Sequence, residues 1–235
     1  YDPADAGWCR AAGWEKFDGD WMPKAEAAGR KRAAELLKRA DGGEEQEGAT
    51  DATKAAGWKL ARRGTKNFTF EGRYSQGDLE GFLQVAEASR TLFIEIASLE
   101  AQQHPAPMTG VFLSSKSDHA KFLEKCTPLE EDERETYKTL GGWTRFNPTV
   151  FELWTNGPLS SYGREASAHV TAHLMFQSWT GIAEPPAWLQ EGLAFWFSDR
   201  LTESALVRCT DLKSNVYGDD RSLSTRGWRR RILDA

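Results

Sequence analysis

Hydrophobic residues recur along the chain with the two spacings that distinguish strands from helices. Phe68 and Phe70 alternate with polar neighbours, as in a half-buried strand. From Leu79 to Ala97 apolar residues return every three to four positions, as on one face of a helix that Asp78 can cap. The predicted elements after residue 66 are a strand within 67–74, a helix over 78–97, a strand at 111–113, a helix starting at Ser117 or Asp118, and a strand over 149–154. Mixed strands and helices of this kind indicate an α+β domain.

The first 60 residues differ in composition from the rest of the chain. Four of the ten tryptophans fall within the first 60 residues, and the tetrapeptide Ala-Ala-Gly-Trp occurs at 11–14 and again at 55–58. Between them, 24–40 has good helix propensity, and the acidic, glycine-rich stretch 41–48 is typical of an exposed loop. We therefore predict a Trp-rich N-terminal appendage over 1–62 and one larger domain over 63–235.

Composition and charge exclude some classes of function. The net charge of −5 and the isoelectric point near 5.5 argue against a general nucleic-acid binder, which is usually basic. No apolar run reaches the roughly 18 residues of a spanning helix, so no membrane span is expected. The three cysteines are too far apart in sequence to form a CxxC metal pair. A peptide or protein remains the expected partner.

The most informative residues lie between Arg164 and Ser198. His169 and His173 are four positions apart, so a helix places both imidazoles on one face. A turn with two prolines follows, and then a second helix that carries Glu191. Two histidines on one helix and a glutamate on the next form a His₂Glu zinc set that leaves a fourth position for water. One zinc ion held by these three residues is the cofactor that the sequence predicts.

This stretch resembles the gluzincin metallopeptidases, and within them the peptidase-MA-like domains of bacterial proteins. The residues that carry the resemblance are His169, His173, Trp188-Leu189 and the run Glu191-Gly192-Leu193-Ala194. The resemblance implies a thermolysin-like zinc-helix domain with a small mixed or antiparallel sheet. It also implies zinc-dependent peptide hydrolysis, substrate held along an edge strand that 149–154 would supply, and a bacterial, extracytoplasmic setting.

One residue departs from the gluzincin pattern. The position after the first histidine holds a general-base glutamate in that family, and here it holds Val170, which cannot accept a proton. Helical geometry places Glu165 on the other side of His169, so it cannot replace the base, although it could orient His169 or join the metal. Glu184, in the loop between the helices, is a second alternative acid. Tyr217 is a candidate to stabilise an oxyanion because it follows the third ligand.

These residues favour a pseudo-peptidase that binds zinc, and peptide with it, but has lost its general base. Two alternatives remain open: an active zinc hydrolase with an unusual base, and a non-catalytic interaction module with a vestigial site. A Val170→Glu substitution is expected to restore a carboxylate within reach of the metal if the helix geometry is ordinary. His119, which has no partner at ligand spacing, is expected at the surface.

Overall fold

The computed structural model of the protein describes residues 6–98, 107–146, 148–180 and 186–204, and these form an α+β fold. The helices within these ranges are α1 (Ala6–Ala11), α2 (Lys24–Arg39), α3 (Gln76–Ala97), α4 (Lys116–Cys126), α5 (Glu131–Tyr137), α6 (Ser160–Thr180) and α7 (Ala187–Thr202). The strands are β1 (Trp14–Phe17), β2 (Asp20–Pro23), β3 (Glu44–Glu45), β4 (Ala61–Gly64), β5 (Phe68–Gly72), β6 (Met108–Leu113), β7 (Gly142–Phe146) and β8 (Thr149–Trp154). The α+β class expected from the sequence is confirmed.

The main sheet is mixed and has six strands in the order β3-β4-β5-β6-β8-β7. Its three inner strands β5, β6 and β8 run parallel, and antiparallel strands flank them on both sides. The expectation that 149–154 lies at an edge is wrong, because β8 is hydrogen-bonded to β6 on one side and to β7 on the other. The strand β7 precedes β8 in sequence but adds outside it, so β7 is the edge strand at this end of the sheet.

The two faces of the sheet carry separate hydrophobic cores because side chains alternate along each strand. Phe112 of β6 joins the larger core, which α2, α3, α6 and α7 complete. Its neighbours Val111 and Leu113 point to the opposite face and pack with Phe122 and Leu123 of α4. The larger core is therefore the one that positions α6 and α7.

Helix α3 begins one turn earlier than the sequence pattern suggested. Its N-cap is Ser75, whose side chain accepts a hydrogen bond from the backbone N–H of Asp78, and Asp78 accepts from the backbone N–H of Ser75 in return. This reciprocal pair satisfies two backbone donors at the helix start. The hydroxyl of Ser160, the first residue of α6, donates to the other carboxylate oxygen of Asp78 at 2.5 Å, so the cap of α3 also holds the start of α6.

Residues of the predicted N-terminal appendage form a separate hairpin and also contribute to the main sheet. Strands β1 and β2 form a separate antiparallel hairpin in which Trp14 packs edge-to-face with Trp8, at a ring-centroid distance of 5.7 Å. The predicted boundary at residue 62 falls inside β4, and β3, predicted to be loop, is the outermost strand of the main sheet. Helix α2 packs against α3 and α7.

His119 is buried, and the expectation of a surface position is wrong. Its side chain and that of Glu152 are both 0% exposed, and the Nδ1 atom of His119 lies 2.9 Å from a carboxylate oxygen of Glu152. The Nε2 atom lies 3.0 Å from the backbone carbonyl of Tyr137, and the ring stacks on Trp154. Both ring nitrogens therefore face acceptors, which is the arrangement that suits a protonated imidazole.

Candidate metal centre

Helix α6 crosses α3 closely, and this contact sets the position of the two histidines. A Cβ atom at Gly163 would lie 2.1 Å from the ring of Phe82, so only glycine allows the approach. One turn further along, the hydroxyl of Ser89 on α3 donates to the backbone carbonyl of Ala168 at 3.3 Å. Both contacts are buried, and His169 follows directly after the second of them.

Helix α7 returns antiparallel to α6. The side-chain amide of Gln177 donates to Gln190 at 3.3 Å near the turn between the two helices. Further from the turn, Glu191 meets His173, and the ring of Phe195 lies 5.4 Å from that of His169. The residues that make these contacts lie along one face of each helix, as expected because residues three to four positions apart share a face.

Three side chains converge between the helices. The Nε2 atoms of His169 and His173 are 3.1 Å apart, and the two carboxylate oxygens of Glu191 lie 3.5 Å from the first and 3.2 Å from the second. Ligands about 2.0–2.1 Å from a tetrahedral zinc ion are separated from one another by about 3.3 Å. The two nitrogens meet that requirement, and each carboxylate oxygen of Glu191 lies near a different imidazole. His169, His173 and Glu191 could therefore hold one zinc ion and leave its fourth position open.

The protonation of these groups also suits a metal. Burial lowers the pKa of His169, by more than its hydrogen bond with Glu191 raises it, so the imidazole is neutral and can act as a ligand. Burial on its own would raise the pKa of Glu191, but above all the hydrogen bonds from His169 and His173 lower it to about 2. At neutral pH the set therefore presents a neutral nitrogen at His169 and a carboxylate at Glu191.

Val170 lies in the larger hydrophobic core and is 5% exposed. Its neighbours on both sides along α6 are buried as well, because the stretch from Glu165 to Ala172 is covered on all faces. The side chain at 170 contacts core residues, and whether a carboxylate there would reach the metal stays a prediction.

Of the three other acids and hydroxyls named from the sequence, the structure places one. Glu165 is 2% exposed, receives a hydrogen bond from the hydroxyl of Ser204, and its charge opposes the lowering of the His169 pKa. It lies outside the group of ligand atoms formed by the described residues. Glu184 and Tyr217 lie outside the described residues.

A network of four charged side chains joins α7 to α2, and sequence reasoning missed it. The guanidinium of Arg30 on α2 donates to the carboxylate of Asp199 at 2.7 Å, and both side chains are at most 15% exposed. Glu26 lies 3.5 Å from both Arg30 and Arg200. Arg30 and Asp199 are 169 positions apart in sequence, so no local pattern could have indicated this contact. The network fixes the helix that carries Glu191.

We expect Arg30→Met to lower the free energy of unfolding by about 2 kcal/mol, because the buried carboxylate of Asp199 loses its guanidinium partner. Chemical denaturation measures this change. Arg32→Met is the matched control on the same helix, since the pairs of Arg32 with Glu35 and Glu95 are far more exposed. Such surface pairs contribute about 0–1 kcal/mol. Equal losses in the two variants would contradict the assignment.

No family model, curated protein or solved structure matches the chain. Within the ranges that the structure describes, no helix is long and apolar enough to cross a membrane. The positions of the three ligand side chains are therefore the observation that supports a metal centre.

Proposed function

We propose that this protein is a zinc-binding pseudo-peptidase domain of the gluzincin type, which holds a metal between α6 and α7 and binds peptide without hydrolysing it. The observation that carries the proposal is the convergence of His169, His173 and Glu191: the two Nε2 atoms are 3.1 Å apart, and a carboxylate oxygen of Glu191 lies within 3.5 Å of each of them. Bound zinc would supply a Lewis acid and lower the pKa of a coordinated water.

We expect no turnover because peptide hydrolysis requires the transfer of a proton to a general base. Hydrolysis needs a base beside the metal, and the residue after His169 is a valine buried in the core. Glu191 is the only carboxylate in the cluster of described ligand atoms, and as a ligand it cannot also serve as base. Loss of a general base typically costs about 10²- to 10⁴-fold in rate.

The order of strands in the sheet decides which strand could bind a peptide. The central strand β8 has both edges paired and cannot accept an added strand. The edge strand β7 is paired with β8 on one side and ends the sheet on the other. If the protein binds an extended peptide by strand addition, we place that peptide on β7.

We expect protein purified without added zinc to contain about one zinc ion per chain, and His173→Ala and Glu191→Gln to contain none. Elemental analysis of the purified protein measures the stoichiometry. Zinc at 100 times its Kd should raise the free energy of unfolding by about 2.7 kcal/mol, and this gain should vanish in His173→Ala. Gln177→Ala, one turn along the same helix and without a ligand atom in the cluster, is the matched control.

Cleavage of an unfolded protein substrate separates the three hypotheses. The proposal expects bound zinc and negligible turnover. Zinc-dependent hydrolysis that both a chelator and His173→Ala abolish would refute it in favour of a hydrolase with an unusual base. Absence of both metal and turnover would instead support a module with a vestigial site.

A further inference from the structure

The two helix faces that carry the ligands each continue into an aromatic residue. Residues three positions apart on a helix lie about 60° apart around its axis. Phe176 therefore follows His173 on the same face of α6, and Trp188 precedes Glu191 on the same face of α7. Because the helices are antiparallel, these two aromatic residues lie at the same end of the cluster, next to the turn between the helices.

Within the part of the chain that the structure describes, this end of the cluster is exposed, whereas the other end is buried. The side chain of Trp188 is 76% exposed, the largest value among the exposed large hydrophobic residues. Gly192, which follows Glu191, is exposed, and a Cβ atom added there would meet nothing within 4 Å. At the buried end His169 is 0% exposed beneath Phe195. Among the described residues, Trp188 and Gly192 therefore mark the accessible side of the cluster.

The charge of the site favours an anionic ligand. Two neutral histidines and one carboxylate contribute −1, so a divalent zinc ion leaves a net charge of +1 and one open position. The other acids on α6 and α7 are turned elsewhere: Glu165 is buried with Ser204, and Asp199 pairs with Arg30. An anionic oxygen that enters the open position thus meets the metal and no competing described carboxylate except Glu191 itself.

We propose, on the basis of the proposed zinc site, that the exposed end of the ligand cluster between α6 and α7 binds the C-terminal residue of a peptide. The α-carboxylate of that residue occupies the open metal position, and its apolar side chain packs against Trp188 and Phe176. The combination of a cationic centre with an aromatic flank selects a carboxylate that carries an apolar group. Because no further carboxylate joins the ligand cluster of the described residues, this ligand is held and not hydrolysed.

The test is fluorescence anisotropy of labelled pentapeptides with the zinc-loaded protein. We expect a peptide ending in a free Phe acid to bind at least about tenfold more tightly than the same peptide ending in Phe amide or in Ser, and binding to disappear when zinc is removed. Trp188→Ala should weaken binding about tenfold or more, as truncation of an exposed aromatic anchor does. Trp8→Ala, at an exposed tryptophan of α1, should leave binding unchanged.

Each failure has a distinct meaning. Zinc content is measured first, so a protein without zinc counts against the proposed function, and only a zinc-loaded protein tests this inference. With zinc bound, equal affinity for the acid and the amide, or for wild type and Trp188→Ala, overturns it. Equal binding of 3-phenylpropionate and the pentapeptide would assign the exposed end of the cluster to small aromatic acids and overturn the peptide assignment.

Discussion

Val170→Glu is expected to lower the free energy of unfolding by about 3–5 kcal/mol and to restore no peptidase activity, because the new carboxylate enters the core without a partner. The native side chain is 5% exposed and belongs to the larger hydrophobic core. A loss of this size is a large part of the roughly 5–15 kcal/mol that stabilises an ordinary domain. Urea denaturation at pH 7 measures it.

The pH dependence of the Val170→Glu variant separates buried charge from poor shape. Burial raises the pKa of the introduced carboxyl group, so the loss is present above that folded-state pKa and is relieved as the pH falls below it. Val170→Gln has nearly the same volume as the glutamate without the charge, and the two variants should converge in stability below about pH 4, under the unfolded pKa of a glutamate. A glutamate variant as stable as wild type, or one that gains zinc-dependent hydrolysis, would show that the side chain at 170 reaches the metal.

His119→Leu is expected to cost about 3 kcal/mol or more at pH 7, because it leaves the fully buried carboxylate of Glu152 without its counter-charge. The double variant His119→Leu/Glu152→Leu removes both charges and should be close to wild type in stability. Denaturant unfolding of the two single variants and the double variant gives the coupling energy. Equal losses in the single and double variants would show that shape alone matters at this position.

The same pair predicts a pH dependence of known sign. Burial by itself would lower the pKa of His119, but the hydrogen bond and the charge of Glu152 outweigh burial and raise it. The stability that His119 contributes is therefore fully present below its unfolded pKa of about 6.5 and is lost as the pH rises through the folded pKa. The unfolding free energy of the wild type minus that of the double variant should decrease from pH 6 to pH 9. An increase over that interval would contradict the assignment of a protonated histidine.

The ligand residues could be predicted because their relation depends on local geometry. Four residues advance a helix by slightly more than one turn, so His169 and His173 share a face wherever that helix packs. Pro186 is the N-cap of α7, and the two prolines in the sequence predict the break after which a second helix carries Glu191. Likewise, alternation at Phe68 and Phe70 is enough to assign a strand and its buried face.

The environment of Val170 could not be predicted in the same way. Helical phase gives the angle between two side chains but does not show which sides of the helix are covered. Helix α6 is packed by α3 and α7 and is buried on nearly all sides, so Val170 contributes to the hydrophobic core, which helical phase alone does not indicate.

Sequence alone thus determined some local relations in this protein: the strand at Phe68 and Phe70, the long helix that follows it, the shared face of the two histidines and the helix that carries Glu191. Only the tertiary structure decided that β8 is central, that His119 is buried on Glu152, and that Arg30 fixes the helix of Glu191. The physical reason is the range of the interactions. Periodicity and capping act over one or two turns, whereas strand order and buried ion pairs join residues that are tens of positions or more apart and leave no local pattern.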